Sequence, residues 1–97
     1  MVRTPLVLPS TTREFVHVPV AGSPDPDTPP EMAFTVTADE PEDDAWHEAA
    51  WADGAVRLLI GPGDGTVQLP NGRYRIWVRF TAGAERPVRN TGLLFIT

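Results

Sequence analysis

The chain has 97 residues and a mass of 10.6 kDa, which is enough for one domain with one hydrophobic core but not for two. Hydrophobic residues make up 41% and charged residues 22%, the composition of a globular protein rather than a disordered one. The absence of cysteine excludes a disulfide scaffold, a thiolate zinc site and a cysteine nucleophile. We therefore predict a single domain over residues 1–97.

Charge is divided unequally between the two halves of the chain. Residues 1–50 carry two arginines and ten acidic residues, a formal charge of −8, whereas residues 51–97 carry six arginines and three acidic residues, a formal charge of +3. This pattern indicates complementary charged surfaces, either within the domain or between neighbouring copies. It disfavours nucleic acid as a partner, because attraction to phosphates requires a dominant basic field. Apolar runs such as residues 58–60 are far too short to span a bilayer, so we expect no membrane partner and a soluble protein made in a cytoplasm.

Short strands are expected throughout the chain. Eleven prolines and eight glycines interrupt it and leave little room for a long helix. Alternation of apolar and polar residues between these breaks predicts seven strands, at residues 6–8, 14–20, 32–38, 55–60, 66–69, 73–81 and 92–97. Pro19 indicates that the second strand lies at an edge or ends there.

Seven short strands of this kind predict an all-β protein, an antiparallel sandwich or barrel, and one local pattern favours an immunoglobulin-like β-sandwich. Tyr74 follows a turn at residues 70–72, and Ile76 stands two positions later. In immunoglobulin-like domains a tyrosine at this corner enters the penultimate strand, and its hydroxyl donates a hydrogen bond to the preceding backbone. Alternatively, Tyr74 is an inward-facing aromatic residue with its hydroxyl at the rim. The predicted core residues are Phe34, Val36, Leu58, Ile60, Leu69, Tyr74, Ile76, Val78, Phe80 and Leu94.

Three segments are expected to be less regular. Residues 1–12 form an extended, proline-rich N-terminal segment, and residues 21–31 form an exposed loop that is too rich in proline and aspartate to pack. Residues 42–51 are compatible with a short helical turn, since acidic residues stand at its N-terminal end, where the helix dipole favours them. The alternative for residues 42–51 is an irregular crossover whose tryptophans cap the sandwich.

No group of residues in the sequence predicts catalysis. His17 and His47 are far apart in the chain, and neither stands in a pattern typical of a metal ligand or a general base. The acidic cluster at residues 39–44 lacks the glycine turn and the alternating spacing of a calcium loop. The glycine-rich turn at residues 61–65 lacks the Lys-Ser/Thr pair of a phosphate-binding loop, and neither serine stands in a nucleophile elbow. We therefore predict that the protein is not an enzyme and has no catalytic residues, metal site or cofactor.

The remaining candidate site is a surface. If Tyr74, Ile76 and Val78 face the core, the residues between them face outward as a row of arginine and tryptophan. These two residue types stack by cation–π interactions and dominate interface hot spots. The predicted interface residues are Arg73, Arg75, Trp77, Arg79, Arg86, Arg89, Trp46 and Trp51. Alternatively, the acidic residues of segment 39–48 fold back over this face within the same chain.

Several stretches of residues 31–97 carry a family resemblance. They are Trp46-x4-Trp51, residues 56–63, the pattern Leu-Pro-x-Gly-x-Tyr-x-x-Trp-Val-Arg at residues 69–79, the pattern Pro-Val-Arg-x-x-Gly at residues 87–92, and the end of the chain at residues 92–97. With these elements the chain resembles small β-rich proteins encoded among the virion-structure genes of tailed phages that infect actinobacteria. The resemblance implies a structural protein of the virion and supplies no catalytic residues.

Two functions follow from the sequence as hypotheses. The first is a capsid decoration or stabilising protein, or a head–tail accessory protein, located in the virion and bound to other virion subunits such as the major capsid protein, or to copies of itself. The second is an immunoglobulin-like binding module that recognises a cell-surface carbohydrate or protein. Proline-rich segments at residues 1–9 and 19–30 resemble arms able to lie on a neighbouring subunit, and they favour the first hypothesis.

Overall fold

The structure, a computed structural model, describes residues 5–97. Within them the chain forms nine short elements, eight strands and one 3-10 turn at Asp43–Ala45. The strands are β1 (Leu6–Leu8), β2 (Glu14–Pro19), β3 (Glu31–Thr35), β4 (His47–Glu48), β5 (Ala50–Ala52), β6 (Ala55–Ile60), β7 (Gly72–Arg79) and β8 (Val88–Ile96). The prediction of an all-β protein is confirmed, whereas the predicted number of seven strands is wrong.

The strands form two sheets. The larger sheet has the order β1–β8–β7–β3–β4, and the smaller sheet has the order β2–β6–β5. The short β1 runs parallel to β8, and every other pairing of named strands is antiparallel. Apolar residues at alternate positions of both sheets meet in one core, because every second side chain of a strand points to the same face. Pro19 ends β2 at an edge of the smaller sheet, as predicted.

Most of the predicted core residues are buried, and one is not. Phe34 and Leu69 are partly buried against the core, whereas the prediction for Val36 is wrong, since 75% of this residue is exposed. The reason is that β3 ends at Thr35, before the alternating pattern of the sequence ends. The predicted residues that are buried are Leu58, Ile60, Tyr74, Ile76, Val78, Phe80 and Leu94; the core also contains Leu8, Val16, Val18, Met32, Val56 and Ile96.

Some strand boundaries differ from the predicted ones. Residues 66–69 form no strand, and only Val67 makes an isolated bridge, to Ile60. The reason is a tight turn in which the hydroxyl of Thr66 donates a bifurcated hydrogen bond, shared between the carbonyls of Gly61 and Gly63. In contrast, β8 begins at Val88 rather than at residue 92, because its first residues pair with the end of β7 although they do not alternate in polarity. This ladder has a β-bulge between Ile76 and Trp77.

Segment 42–51 combines features of both sequence-based alternatives. The turn at Asp43–Ala45 is its only helical part in the described residues, so one short helical turn forms. The chain then crosses between the sheets, since β4 belongs to the larger sheet and β5 to the smaller one. Trp51 belongs to β5 in this crossover: its ring makes a T-shaped contact with Phe80, and its Nε1 donates a hydrogen bond to the carbonyl of Thr28.

The two segments expected to be extended are described in part. Residues 1–4 of the N-terminal segment lie outside the described residues, and the rest of it contains β1. The loop expected at residues 21–31 is half-buried or exposed as far as Pro29, but Pro30 is buried and Glu31 begins β3. The hydrogen bond that the Thr28 carbonyl accepts from Trp51 helps to explain why the end of this loop packs.

The corner before β7 has the geometry predicted for a tyrosine corner. The hydroxyl of Tyr74 donates a hydrogen bond of 2.6 Å to the carbonyl of Pro70, and the ring is buried. The buried hydroxyl therefore has a partner, and the turn at residues 70–72 is attached to the first buried position of β7.

Candidate interface on the five-stranded sheet

The predicted row of arginine and tryptophan lies on the outer face of the larger sheet. Tyr74, Ile76 and Val78 are buried on the inner face of β7. The residues between them are half-buried or exposed on the outer face, and they are Arg73, Arg75, Trp77 and Arg79. Pairing with β3 and β8 decides what each of them contacts.

One end of this row is occupied within the chain by a carboxylate. Glu31 lies directly opposite Arg79 in the β3–β7 ladder. Its carboxylate accepts hydrogen bonds from Arg79 Nε at 2.8 Å and Nη2 at 3.1 Å, and a third from Arg86 Nη2 at 3.0 Å. The Arg79 guanidinium also lies 4.4 Å above the centre of the Trp46 ring. We call Glu31, Arg79, Arg86 and Trp46 the Glu31 cluster.

Electrostatics in the Glu31 cluster favour the ionised carboxylate. The hydrogen bond from Arg79 lowers the pKa of Glu31 below its ordinary value, and the attraction of the Arg79 charge acts in the same direction. Desolvation of the carboxylate acts in the opposite direction and raises this pKa. The hydrogen bond and the charge of Arg86 lower it further. Both guanidinium groups therefore have a carboxylate partner in the same chain, and the cluster requires no neighbouring subunit.

The carboxylate that pairs with Arg79 and Arg86 does not come from segment 39–48, the partner considered from the sequence. In the described residues, the ion pairs of these arginines involve Glu31, and none involves the acidic residues of segment 39–48. From that segment, Trp46 reaches the outer face. Sequence reasoning missed Glu31, because its role depends on the register of β3 against β7, and it stands 48 residues from Arg79 in the chain.

Trp77 is held within the sheet. Its Nε1 donates a hydrogen bond of 3.0 Å to the hydroxyl of Thr35, and it lies opposite Ala33, which is fully buried although it belongs to the outer face. The indole is thus half-buried and partnered, and its role is partly structural.

At the other end of the row, two arginines that make no ion pair within residues 5–97 lie among apolar side chains. Arg75 lies opposite Leu93, and Arg73 lies opposite Phe95. Phe95 in turn lies beside Val7, which is 57% exposed. In the described residues, neither Arg73 nor Arg75 makes an ion pair. We call these five residues the outer patch.

Two of the predicted interface residues lie elsewhere. Trp51 packs against Phe80 and belongs to the crossover. Arg89 lies opposite Val78, so it is on the other face of β8 from the outer patch, and its guanidinium donates a hydrogen bond to the carbonyl of Val88. The structure therefore brings Arg73, Arg75 and Trp77 together on one face and separates Trp51 and Arg89 from them.

A second aromatic surface, which the sequence analysis did not identify, lies on the outer face of the smaller sheet. Phe15 is 43% exposed, and the Arg57 guanidinium lies 4.4 Å above the centre of its ring. The His17 ring centre is 6.0 Å from that of Phe15. The Nε of Arg57 is buried and has no hydrogen-bond partner among the described residues.

Comparisons with protein-family models, with curated proteins and with solved structures found no match to this chain. In residues 5–97 no helix is long and apolar enough to cross a membrane. The same residues contain no group of three histidine, aspartate or glutamate side chains placed to hold a metal ion.

Proposed function

We propose that the chain is an immunoglobulin-like sandwich that works as a non-enzymatic structural protein and binds a neighbouring subunit of a larger assembly through the outer patch. One observation carries this proposal. The outer face of a sheet in a sandwich is usually polar, whereas here Val7, Leu93 and Phe95 lie there beside two arginines without ion-pair partners in the described residues.

The strand order supports an immunoglobulin-like topology. The smaller sheet, β2–β6–β5, corresponds to strands B, E and D, and β8–β7–β3 correspond to strands G, F and C, with β4 in the place of C′. The hydrogen bond from Tyr74 to Pro70 lies at the start of β7, the penultimate strand. Ile76 occupies the position of the second half-cystine of antibody domains, so apolar packing replaces the disulfide here.

The chemistry of the outer patch specifies the kind of subunit it fits. The apolar side chains would contribute most of the binding free energy, because burial of apolar area is the main favourable term in association. Arg73 and Arg75 would select carboxylates on the partner and orient it, since exposed charge pairs direct association more than they strengthen it. The partner is therefore an apolar surface bordered by acidic residues.

The larger assembly is, in this proposal, the virion of a tailed phage. The resemblance of residues 31–97 to small virion proteins, drawn from the sequence, supports this assignment. A protein present in many copies on a particle can be held by weak contacts when neighbouring contacts add to one another. We propose a capsid decoration or head–tail accessory protein.

The experiment compares matched double variants on the two outer faces. Arg75→Ala with Phe95→Ser alters the outer patch, and Arg57→Ala with Phe15→Ser makes the same changes on the smaller sheet. Trp77 is left intact, because its hydrogen bond to Thr35 makes it part of the fold. We expect the outer-patch variant to lose most of its incorporation into purified particles and the control to retain it. Incorporation of a folded outer-patch variant at wild-type copy number would disprove the proposal.

One observation favours the second function, recognition of a cell-surface carbohydrate or protein. The stacked Phe15 and Arg57, with His17 beside them, form an exposed aromatic surface of the kind that binds such ligands. In that case the Arg57/Phe15 variant, rather than the Arg75/Phe95 variant, loses binding of labelled protein to host cells.

A further inference from the structure

The outer face of the smaller sheet places polar and apolar side chains around one arginine. In the strand ladders, Arg57 of β6 lies between His17 of β2 and Ala50 of β5. Phe15 lies opposite Leu59 in the next row of the same face. Phe15, His17 and Ala50 are exposed, whereas Arg57 and Leu59 are half-buried. We call these five residues the Arg57 face, and they belong to the sheet that does not contain β1.

The guanidinium of Arg57 has no hydrogen-bond acceptor in the described residues, and it makes no ion pair with them. Its Nε is buried, so a donor of a charged group has left water without gaining a partner. Such burial costs free energy, and buried donors without acceptors are rare in folded proteins. Positions that violate this rule are expected at functional sites, where the binding of a ligand rather than the stability of the fold explains the residue.

Phe15 holds this guanidinium in place. The Arg57 guanidinium lies 4.4 Å above the centre of the Phe15 ring, a cation–π contact. Among the side-chain nitrogens of Arg57, Nε is the one that is buried without a partner, so the two Nη groups remain available to a ligand. A guanidinium that is already positioned loses little conformational entropy when it binds.

The Arg57 face combines three kinds of binding group. The two Nη groups form a fork that matches the two oxygens of a carboxylate, and the face has no second arginine that would favour a more highly charged anion. Phe15 and Leu59 supply apolar surface beside the fork. His17, whose ring centre is 6.0 Å from that of Phe15, can exchange hydrogen bonds with hydroxyl groups. A sugar ring that carries a carboxylate presents all three complementary features on one rigid unit.

Backbone pairing disfavours a peptide as the ligand. Peptides that bind to sheets commonly pair with unpaired backbone groups at an edge. Arg57 stands instead on β6, the central strand of its sheet, between β2 and β5. Near the end of β6, where β5 no longer pairs with it, the carbonyl of Leu59 accepts a hydrogen bond from the backbone N–H of Val67. Side chains therefore supply the contacts at this face, and a polysaccharide needs no others.

We propose that the Arg57 face binds an acidic polysaccharide, with the carboxylate of a uronate residue on the Nη groups of Arg57 and the ring of the same sugar against Phe15 and Leu59. This proposal rests on the second function considered above and names its ligand. It involves the other sheet from the outer patch, so it does not depend on the binding of a neighbouring subunit.

The test is a titration of the isolated, ¹⁵N-labelled chain with a tetramer of galacturonate, followed by NMR. Binding at an open face through one charged group should be weak, with a Kd of about 1 mM, and should weaken as salt is added. We expect the backbone signals of β2 and β6 and the Nε signal of Arg57 to shift. The same tetramer with its carboxylates methyl-esterified, and a polyglutamate peptide, should each bind at least about tenfold more weakly.

Variants identify the groups responsible. Arg57→Gln should weaken binding of the tetramer by about tenfold or more, because it removes the charged fork. Phe15→Leu keeps an apolar side chain but removes the ring under the guanidinium, and it should weaken binding about threefold. The matched control is Arg75→Gln, the same change at an arginine of the outer patch without an ion pair in the described residues, and it should bind like the wild type. Circular dichroism verifies that each variant is folded.

The proposal is overturned if the tetramer causes no shift at the Arg57 face up to about 10 mM, or if the esterified tetramer or polyglutamate binds as tightly as the acid. It is also overturned if folded Arg57→Gln binds like the wild type, or if Arg75→Gln weakens binding equally. If the tetramer fails to bind but the Arg57/Phe15 variant loses binding to host cells, the second function stands and this ligand is wrong. If the tetramer binds as expected but that variant still binds host cells, the ligand site stands and the second function is wrong.

Discussion

At the scale of single residues, Glu31 organises the charge of the outer face. Its carboxylate is 26% exposed and accepts hydrogen bonds from two arginines, one of which also lies over an aromatic ring. Hydrogen bonds to charged groups are stronger than those between neutral groups, and this one is bidentate toward Arg79. The Glu31 cluster therefore fixes β3, β7 and the loop that carries Arg86 against one another.

We predict that Glu31→Gln lowers the free energy of unfolding by about 1–2 kcal/mol at neutral pH, because Arg79 stays half-buried without a charged partner. The pKa of Glu31 is lowered in the folded state from its ordinary value of 4.5. Its stabilising contribution is thus fully present above about pH 4.5 and is lost as the pH falls through the lowered folded pKa. Urea unfolding at neutral and acidic pH should show the difference between wild type and variant shrinking in acid.

The control for this prediction is Glu48→Gln. Glu48 lies opposite Glu31 in the β3–β4 ladder, is exposed and makes no ion pair in the described residues. Its replacement should change the free energy of unfolding by no more than about 0.5 kcal/mol. A pH-independent difference for Glu31→Gln would show that the carboxylate charge is not the stabilising feature.

At the scale of elements, β7 connects the parts of the larger sheet. It pairs with β8 along its whole length and with β3 over five residues, and its inner face supplies buried side chains at alternate positions. At the bulge, the hydroxyl of Thr91 donates a hydrogen bond to the carbonyl of Ile76. The side chain of Ile76 is thus packed in the core, and its carbonyl is bound to β8.

We predict that Ile76→Ala lowers the free energy of unfolding by about 2–5 kcal/mol, because it leaves a cavity in the core beside β8. A domain of this size has a total stability of about 5–10 kcal/mol, so the variant should melt far below the wild type. Val36→Ala, an apolar truncation at an exposed position, is the control and should have little effect. A melting temperature for Ile76→Ala within about two or three degrees of wild type would contradict the burial of this side chain.

At the scale of the whole molecule, both sheets contribute to one core. Buried residues of β2 and β6 meet those of β3, β7 and β8, and the radius of gyration of 13.0 Å is that of a compact chain of this length. The crossover at β4 and β5 connects the two sheets covalently, and the contact between Trp51 and Phe80 lies beside it.

We predict that the molecule unfolds in one cooperative transition, because neither sheet has a core of its own. Tryptophan fluorescence reports on Trp46, Trp51 and Trp77, and far-UV circular dichroism reports on the strands. The two melting curves should coincide. Two separate transitions would contradict the prediction of a single domain.

The features that the sequence alone determined are those encoded by neighbouring residues. The alternation of β7 predicted its buried and outer faces, and Pro19 predicted the end of an edge strand. The turn before Tyr74 suggested a hydrogen bond of its hydroxyl as one of two alternatives, and the structure has that bond. Each of these follows from the two-residue period of a strand or from the restricted backbone of proline, which depend on local covalent structure.

The tertiary structure decided which distant residues meet. The contact of Glu31 with Arg79 depends on the register between β3 and β7, and a shift by one residue would turn Glu31 to the inner face. Val36 continues a strand pattern, yet it is exposed because the chain bends after Thr35 and leaves β7, which itself extends on to Gly72. Arg89 lies on the other face of β8 from the outer patch because it pairs with Val78, which is buried. A strand becomes stable only when its backbone groups are paired, and the choice of partner is a property of the whole fold.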